Sequence, residues 1–446
     1  MLQFPVSNPT KSFWQTIENP AFANLLSTPT LPSETDILIV GSGYAGASTA
    51  YYLYQKGFNG SLIMLEARTL CSGASARNGG HLKPDLYMAH EAFSERYGED
   101  FAVDIANFEY NHLAEFKKVV ENENIDCDFV LTRACDVHLS KEVSDVAERN
   151  FRRSVNHPNA QYSSDLQINF GEASKVISKV ENTSSCITYT AGHVWVYKFV
   201  AGLLNKCINK GMKVYANTPA LDINKLPDGR YMVKTNKGSI VTKKLVLATN
   251  AYTPAIESKL KDKIVPFKGV CTRIISHTNK RTPHLTNTYG IRFAPGQFDY
   301  LINRPDGSVI VGGATRKVMT LSKFYDNIDD STTIDDIDNY FDGYMNKMFY
   351  TWKGVPEKIS HIWSGIMGFT NDQLPYVGEV PGDMNKFVIA GFHGHGMPRV
   401  LLSAKGPANS ITGGYLEIPE PFKITEKRLS NTENLIISGL GLQSKL

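Results

Sequence analysis

Asp36-Ile-Leu-Ile-Val-Gly-Ser-Gly-Tyr-Ala-Gly46 decides how this chain folds. Asp36 to Val40 is a short apolar run behind the turn-rich Ser27-Thr-Pro-Thr-Leu-Pro-Ser33, and it reads as a buried parallel strand. The bend Gly41, Ser42, Gly43, Tyr44, Ala45, Gly46 follows at once, and Ala47 to Lys56 continues as a helix that Gly57 stops. A second apolar run, Leu62 to Leu65, ends in Glu66. Strand, glycine bend, helix and strand in this order make a dinucleotide-binding unit. Gly41 permits the tight turn, Gly43 lets a pyrophosphate approach the backbone, and Gly46 lets helix and strand pack closely. The helix N-terminus offers N–H groups and the positive end of its dipole to the phosphates. Glu66, 20 residues past Gly46, is placed to accept hydrogen bonds from ribose hydroxyls.

The next segment, Ala67-Arg-Thr-Leu-Cys-Ser-Gly-Ala-Ser-Ala-Arg-Asn-Gly-Gly-His81, is a long loop of small residues. A nicotinamide domain has no need of one here, whereas such a loop lets backbone lie flat against an extended cofactor. FAD is therefore favoured over NAD. Leu245 to Ala248 is a further buried strand, and Thr249-Asn250 turns the chain back towards the cofactor. Phe387 to Ala390 reads as a last parallel strand, and Gly391-Phe-His-Gly-His-Gly396 as a second glycine bend entering a helix near Pro398. A helix N-terminus there would stabilise the negative charge that builds on a reduced flavin.

The chain of 446 residues exceeds one ordinary hydrophobic core, so two or three domains are expected. Hydrophobic content of 42%, charged content of 20% and a net charge of +3 describe a globular protein with no nucleic-acid or membrane-surface partner. No apolar stretch approaches the ~20 residues of a membrane span, and Met1 to Lys11 lacks the pattern of a secretory leader. The six cysteines have no C-x-x-C spacing, which argues against zinc and against a disulfide scaffold. No metal site is expected. The terminal Ser444-Lys445-Leu446 spells the peroxisomal address, read by the import receptor, and implies a matrix enzyme.

Taken together, the motifs resemble the D-amino-acid-oxidase-like (DAO) superfamily of FAD-dependent oxidoreductases, in its fungal branch, related to sarcosine, glycine and glutamylputrescine oxidases. They are Gly41 to Gly46, Glu66-Ala67-Arg68, Ser75-Ala-Arg-Asn-Gly-Gly-His-Leu-Lys-Pro-Asp85, Leu245 to Tyr252, Trp363 to Phe369, Asp372 to Gly378 and Phe387 to Pro398. The resemblance implies a cofactor set of Gly41, Ser42, Gly43, Tyr44, Ala45, Gly46, Glu66, Ala67, Arg68, Ser75, Arg77, Asn78, Gly79, Gly80, His81, Ala220, Thr249, Gly391, Gly394, His395, Gly396 and Met397. His81 and His395 are the catalytic candidates. His395 matches the family's Gly-His-Gly, as a flavin neighbour or as a solvent-facing histidine. His81 is open to a histidyl–flavin link, a non-covalent contact or a structural role. Sarcosine oxidases anchor flavin through a cysteine whose counterpart here is Ile366, so binding is expected to be non-covalent. Their lysine and histidine on the strand matching Val309 to Ala314 are Ile310 and Ala314 here, so lysine-assisted oxygen activation is absent at that place.

The expected fold is α/β, with a Rossmann-like FAD-binding domain built from discontinuous segments 34–90, 185–262 and 359–420. An α+β substrate domain of sheet and helices takes 91–184 and 263–358, with an N-terminal arm at 1–33 and a C-terminal tail at 421–446. Phe101, Ile105, Phe108, Leu113, Phe116 and Val120 predict a helix. Val265–Ser276, Tyr289–Phe293, Tyr300–Asn303 and Ser308–Val311 predict strands. The acid-rich 326–342 reads as a solvated helix face. The activity expected is oxidation of a secondary amine or amino acid, with hydride transfer to flavin N5 and reoxidation by O2 to hydrogen peroxide. The alternatives are a same-fold dehydrogenase using a non-oxygen acceptor, a nicotinamide enzyme, or a non-catalytic flavin protein. Arg273, Arg292, Arg304 and Arg316 all fall in the second region as possible carboxylate partners, each more commonly a surface or sheet-edge charge, and Tyr300 or Tyr376 could wall an amine pocket, although a core role is the commoner one for such residues.

Overall fold

The computed structural model describes residues 4–276, 283–317 and 321–436. The terminal Ser444-Lys445-Leu446 lies outside the described residues.

Strand β1 (Glu34–Val40) sits at the centre of the first sheet because Ile37 to Val40 are apolar towards both faces, as a strand between helical layers must be. The order is β16 (Tyr376–Glu379), β17 (Lys386–Ala390), β10 (Gly238–Leu247), β1, β2 (Leu62–Leu65), β7 (Lys213–Tyr215). β17, β10, β1, β2 and β7 are mutually parallel, and β16 is antiparallel at the edge. β8 (Ala220–Lys225) and β9 (Tyr231–Thr235) extend β10 as an antiparallel meander. Helices α1 (Tyr44–Gln55), α4 (Val196–Asn209) and α5 (Val400–Ile411) pack together on one face. Gly57, at φ +80°, follows the C-cap residue Lys56 as the left-handed stop of α1.

The second sheet runs β15 (Glu357–Thr370), β11 (Ile264–Ser276), β14 (Val309–Gly312), β13 (Gln297–Asn303), β12 (Asn287–Ala294), β4 (Val130–His138), β6 (Ser185–His193), β3 (His81–Leu82), with β5 (Gln167–Phe170) paired to β6. The four predicted strands between 265 and 311 all form. Helix α2 (His90–Tyr97) is followed by α3 (Glu99–Glu123), which carries the apolar periodicity read between 101 and 120, although Phe101 itself is exposed. Both strong sheets and their helices give the expected α/β fold with an α+β second part.

Hydrogen bonding redraws the segment limits. β3, β6 and β15 fall within 34–90, 185–262 and 359–420, yet all three pair inside the second sheet. A hydrophobic strand does not announce in sequence which sheet it joins. The acid-rich 326–342 is also not a uniformly solvated face: Asp330 is 1% exposed, between Arg68 at 3.0 Å and Arg77 at 3.4 Å. The tail expected from 421 is partly core, with Phe422 and Ile436 buried and Arg428 paired to Asp372 at 2.8 Å. All six cysteines are free and buried. No helix among the described residues is long and apolar enough to cross a membrane, and they contain no cluster of metal-ligating side chains.

Candidate active site

Both glycine bends sit at the C-terminal ends of parallel strands, β1 and β17, that flank β10 on either side, where open α/β sheets bind ligands. Gly41 leaves β1 at φ +105°, and a Cβ there would lie 2.5 Å from the Ala248 carbonyl oxygen at the end of β10. At Gly46 a Cβ would lie 2.0 Å from the Gly41 carbonyl oxygen, so only glycine lets α1 seat on the bend. Gly43 caps α1 without any side-chain hydrogen bond, leaving its first turn to an external acceptor, except that Tyr44 N donates to Ser75 Oγ at 2.8 Å. Glu66 is aimed by Ser42, whose N and Oγ donate to Oε2 at 3.0 and 2.8 Å.

The loop after Glu66 is clamped from outside. Ser12 Oγ donates to Ala76 O at 2.5 Å, Trp14 Nε1 to Asn78 O at 2.5 Å, and Trp363 Nε1 to Arg77 O at 2.9 Å. The buried Arg77 donates to Thr10 O at 2.6 Å and Ser364 O at 2.8 Å, tying the N-terminal arm, the loop and β15 into one knot. At the second bend, Asn250 Oδ1 accepts from Gly391 N at 3.0 Å, joining the end of β10 to that of β17. His393 is at φ +52°, stacks on Phe369 at 4.3 Å, and is pushed down to about 3 by burial, so it stays neutral.

The bends meet on a single cavity of about 690 Å³. Its walls include Gly41, Gly43, Tyr44, Ala45, Glu66, Ala67, Arg68, Ser75, Arg77, Asn78, Gly79, His81, Ala220, Thr249, Gly394, His395, Gly396 and Met397 from the expected set. Ser42, Gly46, Gly80 and Gly391 do not face it. Ser42 orients Glu66 and accepts from Cys71 N at 2.9 Å; Gly46 is the packing glycine; Gly80 and Gly391 turn the chain at φ +70° and +72°. Phe4 and Pro5 of the arm and Ile436 of the tail also line the cavity.

The wall from the second sheet carries the charge. Tyr300 faces the cavity and covers Gly79, whereas Tyr376 is a core residue bonded to Asn371 Oδ1 at 2.9 Å. His81 Nε2 shares a hydrogen bond with Thr288 Oγ1 at 2.7 Å, and burial pushes the ring well below the usual histidine range. Of the four arginines, Arg273 pairs with Asp306 at 2.8 Å, Arg304 with Asp128 at 2.8 Å, and Arg316 lies over Phe293 at 3.4 Å. Arg292 alone lines the cavity, and its guanidinium makes no hydrogen bond among the described residues. It is held 4.0 Å from Asp136, whose Oδ2 already accepts from Tyr87 and Tyr189 at 2.9 and 2.8 Å and whose Oδ1 faces Lys83 at 3.2 Å. Burial alone would raise the Asp136 carboxyl, but Lys83 and Arg292 hold it well below the usual range, so it stays charged.

Lys268 on β11 also lines the cavity, donating to Thr332 Oγ1 at 2.8 Å, and burial pushes its ammonium down. It stands opposite Ile366 in the β11–β15 register, away from the Ile310 and Ala314 positions where a lysine or histidine was sought. Glu109 on α3, 0% exposed, was not read as a site residue; it accepts from Arg399 Nε at 2.6 Å and His395 Nε2 at 2.7 Å. An acidic residue on the apolar side of the predicted helix was the one available signal. His395 is thus neither a free surface histidine nor an isolated one.

The family model for FAD dependent oxidoreductases (DAO) matches residues 36–406. Gamma-glutamylputrescine oxidoreductase of Escherichia coli is 23% identical over 384 residues, covering 85% of this chain and 84% of that protein. The probable oxidoreductase OrdL of Haemophilus influenzae is 22% identical over 419 residues, covering 93% and 90%. Among solved structures, glycine oxidase from Geobacillus kaustophilus superposes with a TM-score of 0.70 at 20% identity, covering 89% of this chain and 99% of that one. L-proline dehydrogenase from P. horikoshii superposes with a TM-score of 0.71 at 19% identity, covering 87% and 96%. The chain belongs to the DAO family of FAD-dependent oxidoreductases.

Proposed function

We propose that this member of the DAO family is an oxidase of a secondary amine or amino acid, with FAD held non-covalently along the cavity between the two glycine bends. When bound, FAD would supply the acceptor for the hydride equivalent on the carbon beside nitrogen, with O2 as the final oxidant and hydrogen peroxide as its product. The observation that carries the reading is the convergence of both bends on one cavity, lined also by the Arg292 guanidinium, which is ion-paired to Asp136 but makes no hydrogen bond among the described residues. Gly43 and the open first turn of α1 suit the pyrophosphate, and Glu66 suits the ribose. The loop at 392–397 suits the ring end. Non-covalent attachment is supported by Ile366 in the cavity wall and by the engagement of His81 Nε2 with Thr288.

Arg292 supports a substrate bearing a carboxylate: a guanidinium with free donors in a cavity wall matches a planar anion. Asp136 fixes the arginine without using its donors. Purified protein should be yellow, bleach anaerobically with an N-methyl or cyclic amino acid, and recolour in air with about one peroxide per turnover. Protein that cannot be loaded with FAD, or that stays oxidised across such a panel, contradicts the proposal.

A same-fold dehydrogenase is the second reading, favoured by Ile310, Ala314 and the commitment of Lys268 to Thr332. Dye reduction exceeding peroxide formation on one substrate would select it. We further propose delivery to the peroxisomal matrix through Ser444-Lys445-Leu446; a fluorescent fusion placed ahead of this tripeptide should lose its punctate pattern when the three residues are removed.

A further inference from the structure

We propose that His395, Glu109 and Arg399 form a proton-accepting relay in which His395 Nδ1 takes the proton from the substrate ammonium, with Glu109 and Arg399 as positioning residues. This rests on the amine-oxidising reading above. A flavin accepts hydride from a neutral amine, whereas an aliphatic amine reaches the enzyme almost wholly protonated at pH 7 (a Lys-like ammonium titrates near ~10.4). Some group must receive that proton, and the cavity offers few.

The geometry selects His395. It stands between Gly394 and Gly396 in the second bend, lines the cavity and keeps 31% of its side-chain surface. The Glu109 carboxylate can only accept, so Nε2 is the donor at 2.7 Å, and Nδ1 makes no hydrogen bond among the described residues. In the neutral ring Nδ1 is then a lone-pair acceptor turned away from Glu109. The transfer breaks one N–H bond of the ammonium, leaves the electron pair on the substrate nitrogen and forms Nδ1–H. The proton leaves to water when product departs.

Glu109 is suited to supporting the resulting imidazolium. Burial alone would raise its carboxyl, but the Arg399 guanidinium, the strongest charge beside it, holds it below the usual carboxylate range. Its remaining contacts, Arg399 Nε at 2.6 Å and Asp85 N at 2.7 Å, fix it from two other directions. Arg399 opens α5, so the relay locks the cap helix α3 to the second bend. The other ionisable groups facing His395 are His112 from α3, His81 from β3 and His393 from its own loop, with Lys405 and Arg96 further out. Burial keeps His112 and His393 down at about 3 and His81 well below the usual range, so none of the three competes for the proton.

The test is the anaerobic bleaching rate of FAD-loaded protein against pH. Wild type should lose rate on the acid side and level off near the substrate's own pKa. Glu109→Gln removes the counter-charge and leaves Arg399 unpaired, both of which disfavour imidazolium. The acid limb should therefore move down by about one pH unit, a tenfold change in proton affinity, while the substrate limb stays. His395→Asn should abolish the acid limb and lose on the order of 100-fold in rate at pH 7, with the deficit closing as pH nears the amine's pKa. A Glu109→Gln limb that stays in place overturns the relay; should that variant fail to fold, a His395→Asn deficit that is equal at every pH overturns it. Wild type that never bleaches removes the amine-oxidising reading itself, a separate outcome.

Discussion

The two walls of the cavity are made of different material. On the first sheet the wall is backbone: the Gly41 and Gly391 bends, the open turn of α1 at Gly43, and a loop whose carbonyls are held by Trp14, Trp363 and Ser12. On the facing side it is side-chain charge: Asp136 and Arg292 on the second sheet with Lys83 beside them, and Glu109 on α3 reaching His395 and Arg399 at the second bend. A backbone wall recognises shape and phosphate and tolerates no Cβ; a charged wall recognises a particular small molecule and can be retuned one residue at a time. The family's shared cofactor and varied substrates fit that division.

The comparison can be broken most severely at Gly41. Gly41→Val places carbon 2.5 Å from the Ala248 carbonyl at a φ that valine resists, so the protein should purify colourless or not fold. Next comes Asp330→Asn, which leaves the buried Arg68 and Arg77 uncompensated. Chemical denaturation should show a loss of about 3–5 kcal/mol, far more than any exposed ion pair in the molecule. Glu109 should leave an acid signature of similar size. Its carboxyl, ordinarily at 4.5, is held at about 2, so its stabilisation is fully present above 4.5 and is lost as pH falls towards 2. The stability gap between wild type and Glu109→Gln should shrink by about 3 kcal/mol between pH 6 and pH 2.

Smaller effects separate the walls by what they change. Arg292→Met should keep FAD and lower kcat/KM for a carboxylate-bearing amine by about 10- to 100-fold, the worth of charge-assisted hydrogen bonds, while leaving an uncharged amine almost unaffected. Equal losses on both substrates would remove Arg292 from substrate recognition. Ser75→Ala, which removes a cavity-wall hydroxyl held in place by Tyr44 N at 2.8 Å, should weaken FAD binding by about 1 kcal/mol without altering substrate preference.

The backbone wall was legible in sequence because its signals are local. Strand, bend, helix and acid at 36–66 lie within one short unit, and the second bend repeats the grammar at 387–398. The charged wall was not, because its partners are far apart: Glu109 meets His395 across 286 residues, and Arg68 meets Asp330 across 262. Four arginines between 273 and 316 looked alike, and the register of β12 beside β4, which sets Gly290 against Asp136, brings Arg292 to the cavity. Sheet membership was hidden for the same reason, since β6 and β15 lie in sequence beside elements of the first sheet yet pair in the second. Asp330 looked like one more surface acid until the fold brought two arginines to it.

The most direct test of the central claim is a crystal structure with FAD bound. The account predicts the pyrophosphate within hydrogen-bond distance of the backbone N–H groups at 43–45, the ribose beside Glu66, and the flavin ring against residues 392–397. A cofactor gripped by only one of the two bends, with the other facing empty solvent, would contradict it.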